Sequence, residues 1–273
     1  MPENLDWIKI LIDCKNHVLK NISPLLKIRN QRQKYLGIGA GGDPIKTVDL
    51  IAENAIVAVL KRRGIKFTLI SEESGIVEQG TSRDCFVTTD PIDGTTNLTR
   101  GAPFYATSIA VSSEPTLSAI YAGLVGDLVH KITYTAARGK GAHRNGVSIK
   151  PSSNASVEEG VMGIDLNSYK IKTLVPRLTA LMSMTAHLRH FGANALELCY
   201  VADGTTDAFV DIRGKLRTTD IAAAYLIVTE AGGILKTPKG KRLEAILDPK
   251  QRVEFLAAGN KELFTRIMRL INS

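Results

Sequence analysis

The stretch Cys85-Phe86-Val87-Thr88-Thr89-Asp90-Pro91-Ile92-Asp93-Gly94-Thr95-Thr96-Asn97-Leu98 is the one on which the fold turns. Cys85 to Thr88 is a short β-prone run that delivers Asp90 to its end, and Asp93 follows three residues later. Gly94-Thr95-Thr96-Asn97 then reads as the first turn of a helix or as a tight loop, with backbone N–H groups pointing outward. Two carboxylates beside such donors suit a hard cation together with a phosphate oxygen. Asp, Pro, Gly and Asn are also the common turn residues, so by itself the segment reads as a turn too. Its company elsewhere in the chain decides.

Upstream, Leu5, Ile8, Leu11, Ile12, Val18, Leu19 and Ile22 follow helical spacing, and Pro24 ends or bends that helix. The glycine-rich segment 37–44 lacks the preceding strand and the Gly-Lys-Ser/Thr ending of a phosphate loop, and reads as a mobile surface segment. A second helix follows, with apolar Ile45, Val48, Ala52, Ala55, Ile56 and Val59, stopped at Gly64. Asp49 and Glu53 share one of its faces. Phe67 to Ile70 is a short strand, and Ser71-Glu72-Glu73-Ser74 lies at its end.

Downstream, Tyr105–Val111, Leu117–Val125 and Lys131–Thr135 read as an antiparallel meander, closed by the hairpin dipeptide Asn145-Gly146. Pro151-Ser152-Ser153-Asn154 is a soft boundary, dividing an N-terminal α+β region, 1–150, from a C-terminal α/β region, 151–273. The second region alternates strand and helix. It runs through strand Gly160–Leu166, helix Tyr169–Met184 with a break near Pro176, helix Ala195–Ala202 and strand Asp207–Asp211. Asp220 opens a long helix to Ala231, closed by Gly232-Gly233; strand Glu254–Ala258 and helix Lys261–Ile271 follow. Asp203-Gly204-Thr205 repeats part of the central motif without partner acids and reads as a turn.

With 273 residues, 44% apolar and 23% charged, the chain has the make-up of a globular protein able to bury a large core. No apolar run spans a bilayer, and Met-Pro-Glu-Asn lacks a signal-peptide pattern, so a cytoplasmic home is expected, with no membrane partner. Three scattered cysteines build neither a disulfide framework nor a zinc site. The net charge of +8 is spread along the chain without basic blocks, which argues against a nucleic-acid partner and fits a small phosphorylated substrate.

If Glu72, Asp90, Asp93 and Asp220 converge, four carboxylates repel unless cations neutralise them. All-oxygen ligands select Mg²⁺ or Mn²⁺ over zinc, which points to phosphoryl transfer to water. Asp90 to Asn97 resembles the metal-binding signature of the inositol monophosphatase family, within the lithium-sensitive, magnesium-dependent sugar and inositol phosphatases. Ser71-Glu72-Glu73-Ser74 resembles its Glu-Glu motif, Asp220 to Gly233 its C-terminal motif, and Asp49 its helical acid; the similarity spans about residues 5–271.

That resemblance implies an α/β (α+β) fold, a layered αβαβα sandwich, and usually a homodimer. It implies that Glu72, Asp90 and the Ile92 carbonyl bind one Mg²⁺, and that Asp90, Asp93 and Asp220 bind a second. Glu72 helps hold a third, looser ion, and Mn²⁺ can substitute. Thr95 and Asp49 orient and deprotonate the attacking water, without a phosphoenzyme, and the amides of Gly94 and Thr95 cradle the phosphate. Gly192-Ala193-Asn194 matches a segment that contacts the sugar ring, and Asp211 stands where the family binds ring hydroxyls. The basic connection Ile212–Arg217 and Thr219, in place of a common Trp, resemble the branch acting on both inositol monophosphate and fructose 1,6-bisphosphate. Tyr169, Lys170 and Arg189 are candidates for a second phosphate, or plain surface residues. The alternatives are a phosphatase of 2′- or 3′-nucleotides and a non-catalytic binding protein on the same fold. A haloacid-dehalogenase phosphatase is rejected, since its paired acids are two apart and N-terminal.

Overall fold

In the computed structural model, which describes residues 5–27, 35–42, 44–81, 84–168 and 170–273, the first apolar stripe becomes α1 (Trp7–Leu26). Pro24 lies inside its last turn, where the ring removes only one ladder bond from an end that frays anyway. α2 (Thr47–Arg62) packs against α1, and Arg63 pairs with Asp13 across the seam. The buried stripes of both helices, Leu11, Cys14 and Val18 with Ala52, Ile56 and Val59, share one core.

The glycine-rich segment is not a detached surface loop. β1 (Tyr35–Ile38) and β2 (Pro44–Lys46) form an antiparallel ribbon around it. The Ala40 and Gly41 amides donate to the carbonyls of Glu73 and Glu72 at 3.0 and 2.9 Å. A segment with almost no side chains satisfies its backbone donors on the nearest open carbonyls, here those of the acidic turn.

An eight-stranded sheet has the order β10-β9-β8-β7-β6-β5-β3-β4. Its strands are β3 (Phe67–Ser71), β4 (Gly75–Gln79), β5 (Phe86–Asp93), β6 (Ala106–Ser112), β7 (Ile120–Asp127), β8 (Thr133–Ala137), β9 (Ala142–Arg144) and β10 (Val147–Ser148). β6 to β10 are the expected meander, β5 extends it by pairing antiparallel with β6, and β3 pairs parallel with β5. That parallel pair brings the ends of β3 and β5, and so Glu72 and Asp90, to the same edge. Between β5 and β6 runs the short helix α3 (Thr95–Arg100).

A five-stranded sheet has the order β12-β11-β13-β15-β14. It comprises β11 (Val161–Ile164), β12 (His187–Arg189), β13 (Ala208–Arg217), β14 (Ile234–Lys236) and β15 (Arg252–Ala258). β13 does not stop at Asp211. A bulge separates Asp211 from Leu216, and Leu216 and Arg217 resume pairing with Val253 and Arg252, so the basic connection is strand. α4 (Ile171–Met184) is also unbroken at Pro176, because its buried stripe Leu174, Leu178 and Leu181 holds it against the sheet and α7 (Lys261–Asn272).

α5 (Asn194–Ala202) and α6 (Thr218–Ala231) lie between the two sheets, and α6 touches both. A helix covered on both faces must be apolar all round, which is why Ile221, Ala223, Ala224, Ile227 and Val228 leave no polar stripe. The layers are thus α1/α2, sheet, α5/α6, sheet, α4/α7: the αβαβα sandwich. The middle core draws Ile70, Ala106 and Tyr134 from one side of residue 150 and Phe209, Ile221 and Phe255 from the other. Glu230, at the end of α6, accepts the amides of Gly139 and Gly141 at 2.9 Å each and fixes the β8–β9 turn.

Candidate active site

Asp93 ends β5, Glu72 follows β3, and Asp90 stands inside β5 just before its irregularity. Asp49 and Asp220 are the third residues of α2 and α6. Asp49 Oδ2 accepts the Lys46 amide at 3.1 Å, and Asp220 Oδ2 accepts the Arg217 amide at 2.9 Å. A first-turn carboxylate satisfies an orphan N–H and meets the positive end of the helix, so local physics fixes both side chains. Thr219, where the resemblance leads one to look for Trp, donates its hydroxyl to Asp220 Oδ1 at 3.1 Å.

Packing then brings acids from three elements together. One oxygen each of Glu72, Asp90 and Asp220 lies within 4.8 Å of the others. Burial, then repulsion from Asp220 and Glu73, pushes Glu72 well above the usual carboxylate range. Burial, then Glu72 and Asp93, does the same to Asp90. Burial raises Glu73 to about 8, with Asp49 and Glu53 adding to the rise. Burial first, and the crowding of like charges after it, favours the neutral form of these groups.

Asp93 lies beside the trio, its charge adding to the rise of Glu72 and Asp90, and its carboxylate is also engaged by α5. Its Oδ1 accepts the Asn194 amide at 2.9 Å, and its Oδ2 accepts those of Ala195 and Leu196 at 2.8 and 3.2 Å. It therefore caps α5, yet burial still lifts it to about 8 against those donors. Gly94, with φ +87°, turns the chain into α3; a Cβ there would stand 3.0 Å from Phe104 O and 3.1 Å from Ala193 Cβ. Asn97 Nδ2 donates to Phe104 O at 2.8 Å and Phe191 O at 2.6 Å, tying α3 to the loop before α5. Gly192, Ala193 and Asn194 are thereby held against the central motif.

Thr95 Oγ1 donates to Ile92 O at 2.8 Å. Asp49 is raised to about 7, by burial above all, while the Lys46 amide and charge and the Thr95 side chain favour its charged form. Its Oδ1 is buried without a hydrogen-bond partner. A carboxyl tuned near neutrality, with an unused oxygen, is suited to proton transfer.

Arg217 and Arg213 stood out in the sequence only as members of the basic connection Ile212–Arg217, without a role of their own. Arg217 Nη1 lies 2.7 Å from Glu72 Oε1 and 3.5 Å from Asp220 Oδ1. Its place three residues before Asp220 on a helix start was the available signal. Arg213 grips Asp211 through Nε at 2.9 Å and Nη2 at 2.5 Å, and also reaches Asp165 at 2.6 Å. Asp211, fully buried at 0% exposure, thus has both oxygens engaged by its own strand. That is the physical departure from a free hydroxyl-binding acid. Arg189 is exposed, with Nη1 on Leu188 O at 2.9 Å, and Lys170 is exposed at the start of α4. Tyr169 lies outside the described residues. Asp203 closes a turn, accepting the Thr205 amide at 3.0 Å and the Tyr134 hydroxyl at 2.7 Å.

The donor set of the trio is carboxylate oxygen only, crowded within the reach of one ion. It fits hard divalent cations. Among the described residues, no helix is long and apolar enough to cross a membrane.

Residues 9–273 match the model of the inositol monophosphatase family. A fructose-1,6-bisphosphatase/inositol-1-monophosphatase of Methanothermobacter thermautotrophicus is 35% identical over 97% of this chain and 96% of its own length. A bifunctional NADP phosphatase/NAD kinase of Methanococcus maripaludis is 29% identical over 98% of this chain, which spans 50% of that longer protein. The crystal structure of an inositol monophosphatase–fructose 1,6-bisphosphatase superposes with a TM-score of 0.85 at 32% identity, covering 97% of this chain and 100% of that one. The match runs through every layer of the sandwich and both helices that carry the N-terminal acids, so the chain belongs to the inositol monophosphatase family and is a metal-dependent phosphatase.

Proposed function

We propose that this phosphatase is a Mg²⁺-dependent phosphomonoesterase of inositol monophosphate, fructose 1,6-bisphosphate or both. The observation that carries the reading is the meeting of Glu72, Asp90 and Asp220 oxygens within 4.8 Å, beside a neutral-tuned Asp49. Glu72, Asp90 and the Ile92 carbonyl would hold one ion, Asp90, Asp93 and Asp220 a second, and Glu72 a looser third; Mn²⁺ would substitute. When bound, such ions acidify water and screen charge on the phosphate and the leaving oxygen.

The chain's own groups supply the rest. Asp49, through the Thr95 hydroxyl, takes the proton of the attacking water as its oxygen bonds to phosphorus and the ester P–O bond breaks opposite. The products are the alcohol and inorganic phosphate, with no phosphoenzyme. The amides of Gly94 and Thr95 orient the phosphate oxygens. Gly192, Ala193 and Asn194, fastened to Asp93 and Asn97, line the side on which the ring lies, and Asp211 acts there through Arg213. Lys170, Arg189 and Tyr169 serve the far end of a longer substrate. Inhibition by lithium, a homodimer and a cytoplasmic location accompany this reading.

The test is phosphate release from inositol 1-phosphate, fructose 1,6-bisphosphate, NADP and 2′- or 3′-AMP side by side, with Mg²⁺, Mn²⁺ or EDTA. Turnover of either of the first two with metal alone supports the reading. Turnover in EDTA overturns the mechanism, and exclusive turnover of NADP or AMP moves the substrate to the nucleotide class. Likeness to the NADP phosphatase keeps that class in the panel.

A further inference from the structure

Arg217 ends β13 and caps α6, and its side chain is only 8% exposed. Its guanidinium holds Glu72 at 2.7 Å and Asp220 at 3.5 Å, two of the three acids whose oxygens crowd together. The glycine-rich segment closes over it: a Cβ on Gly41 would come 2.7 Å from Arg217 Nε. That segment is itself pinned, since the Gly41 amide donates to Glu72 O at 2.9 Å and Arg252 Nη2 donates to Gly41 O at 2.8 Å. Only a residue without a side chain leaves room for the guanidinium between the ribbon and the acids.

Resting on the metal-site reading above, we infer that Arg217 is the internal counter-ion of this centre, and that divalent cations load by taking Glu72 and Asp220 from it. A divalent ion sits about 2.1 Å from its oxygen ligands, so one sharing these oxygens would stand within about 5 Å of the guanidinium. Like charges at that range in a partly dry site repel strongly. Arg217 therefore turns away from at least one acid as an ion binds, and the 40–42 segment packed on it shifts with it. It is a positioning residue: it keeps the acids in place before loading and sets how tightly they take a cation. A purely structural arginine would weaken metal binding when removed, whereas a competing one strengthens it.

The experiment is calorimetric titration of Mn²⁺ into EDTA-stripped protein, for wild type, Arg217→Met, Arg217→Lys and Gly41→Ala. Arg217→Met is expected to bind Mn²⁺ about tenfold more tightly, and Arg217→Lys to stay near wild type. Gly41→Ala, which crowds the guanidinium out, is expected to move in the direction of Arg217→Met and serves if that variant does not fold by circular dichroism. Unchanged or weaker binding in these two variants, with wild type binding normally, overturns the role of Arg217 alone. Absence of Mn²⁺ binding by wild type overturns the metal reading itself, and this inference with it.

Discussion

Asp93 and Ala195 are 102 residues apart in the chain, and 2.8 Å separates the Asp93 carboxylate from the Ala195 amide. A residue of the central motif is thus also the cap of a helix in the middle layer. With the Asn194 and Leu196 amides included, three orphan donors of α5 are satisfied by one side chain. Asp93→Ala should therefore cost about 1–2 kcal/mol of stability, as loss of a helix cap does, besides abolishing turnover. Asp93→Asn keeps an acceptor oxygen and should melt closer to wild type while remaining inactive. Thermal melts set beside phosphate release separate the two roles.

Asp49→Asn and Thr95→Ala should each lower kcat by about 10²–10⁴, the usual worth of a positioned base, with little change in Mn²⁺ affinity. Single-turnover phosphate release and calorimetry on the same samples check this. A variant retaining full kcat would remove Asp49 from the chemistry.

The pH dependence of the metal-free protein has a definite sign. Asp49 is raised to about 7 and Glu73 and Asp93 to about 8, all by burial first. Such groups bind more protons folded than unfolded, so their contribution is complete below the unfolded pKa near 4 and is lost as pH rises toward about 8. EDTA-treated protein should melt lower at pH 8 than at pH 5.5. Mg²⁺ at about a hundred times its Kd should restore about 2.7 kcal/mol, and more visibly at the higher pH. Scanning calorimetry at both pH values with and without Mg²⁺ reads this, and a metal-free Tm that climbs with pH would contradict it.

Arg213→Met strips the partner from Asp211 and Asp165, both buried. Breaking a buried ion pair from one side should cost about 3–5 kcal/mol in urea unfolding. The double variant with Asp211→Asn should recover part of that loss, because less uncompensated charge is left behind.

Glu230→Ala frees the Gly139 and Gly141 amides at the far end of α6. A loss of about 1–2 kcal/mol is expected from these charge-assisted bonds, with kcat unchanged. A fall in activity matching that of Asp49→Asn would show that the β8–β9 turn communicates with the site.

Much of the fold could be read along the chain. Helical spacing marked α1 and α2, Asp220 and Gly232-Gly233 marked the two ends of α6, and the turn dipeptide Asn145-Gly146 marked the last hairpin, because these depend on neighbours within a few residues. Short strands were less visible: β4, β12 and β14 are only three to five residues long, and β14 pairs with β15 from 20 or more residues away. The end of β13 was misplaced for a similar reason. Gly214 and Lys215 carry no strand signal, and the pairing of Leu216 and Arg217 with Val253 and Arg252 is set by the opposite strand.

The central motif shows the same division. By itself the sequence placed Asp90 at the end of a strand, Asp93 three residues on, Asp49 within a helix, Asp220 at the opening of one, and Glu72 just past a strand; the structure moves Ile45 into β2 and so puts Asp49 in the first turn of α2. The two helix acids are held by hydrogen bonds closed within three residues, and the strand ends follow short β-prone runs. Only the tertiary structure decided that Asp93 turns to α5, that Asp211 is held by Arg213, and that Arg217 rather than solvent faces Glu72. These contacts depend on how two sheets pack around α5 and α6, and the energy of a buried charge is set by whatever the packing brings beside it, however distant in the chain.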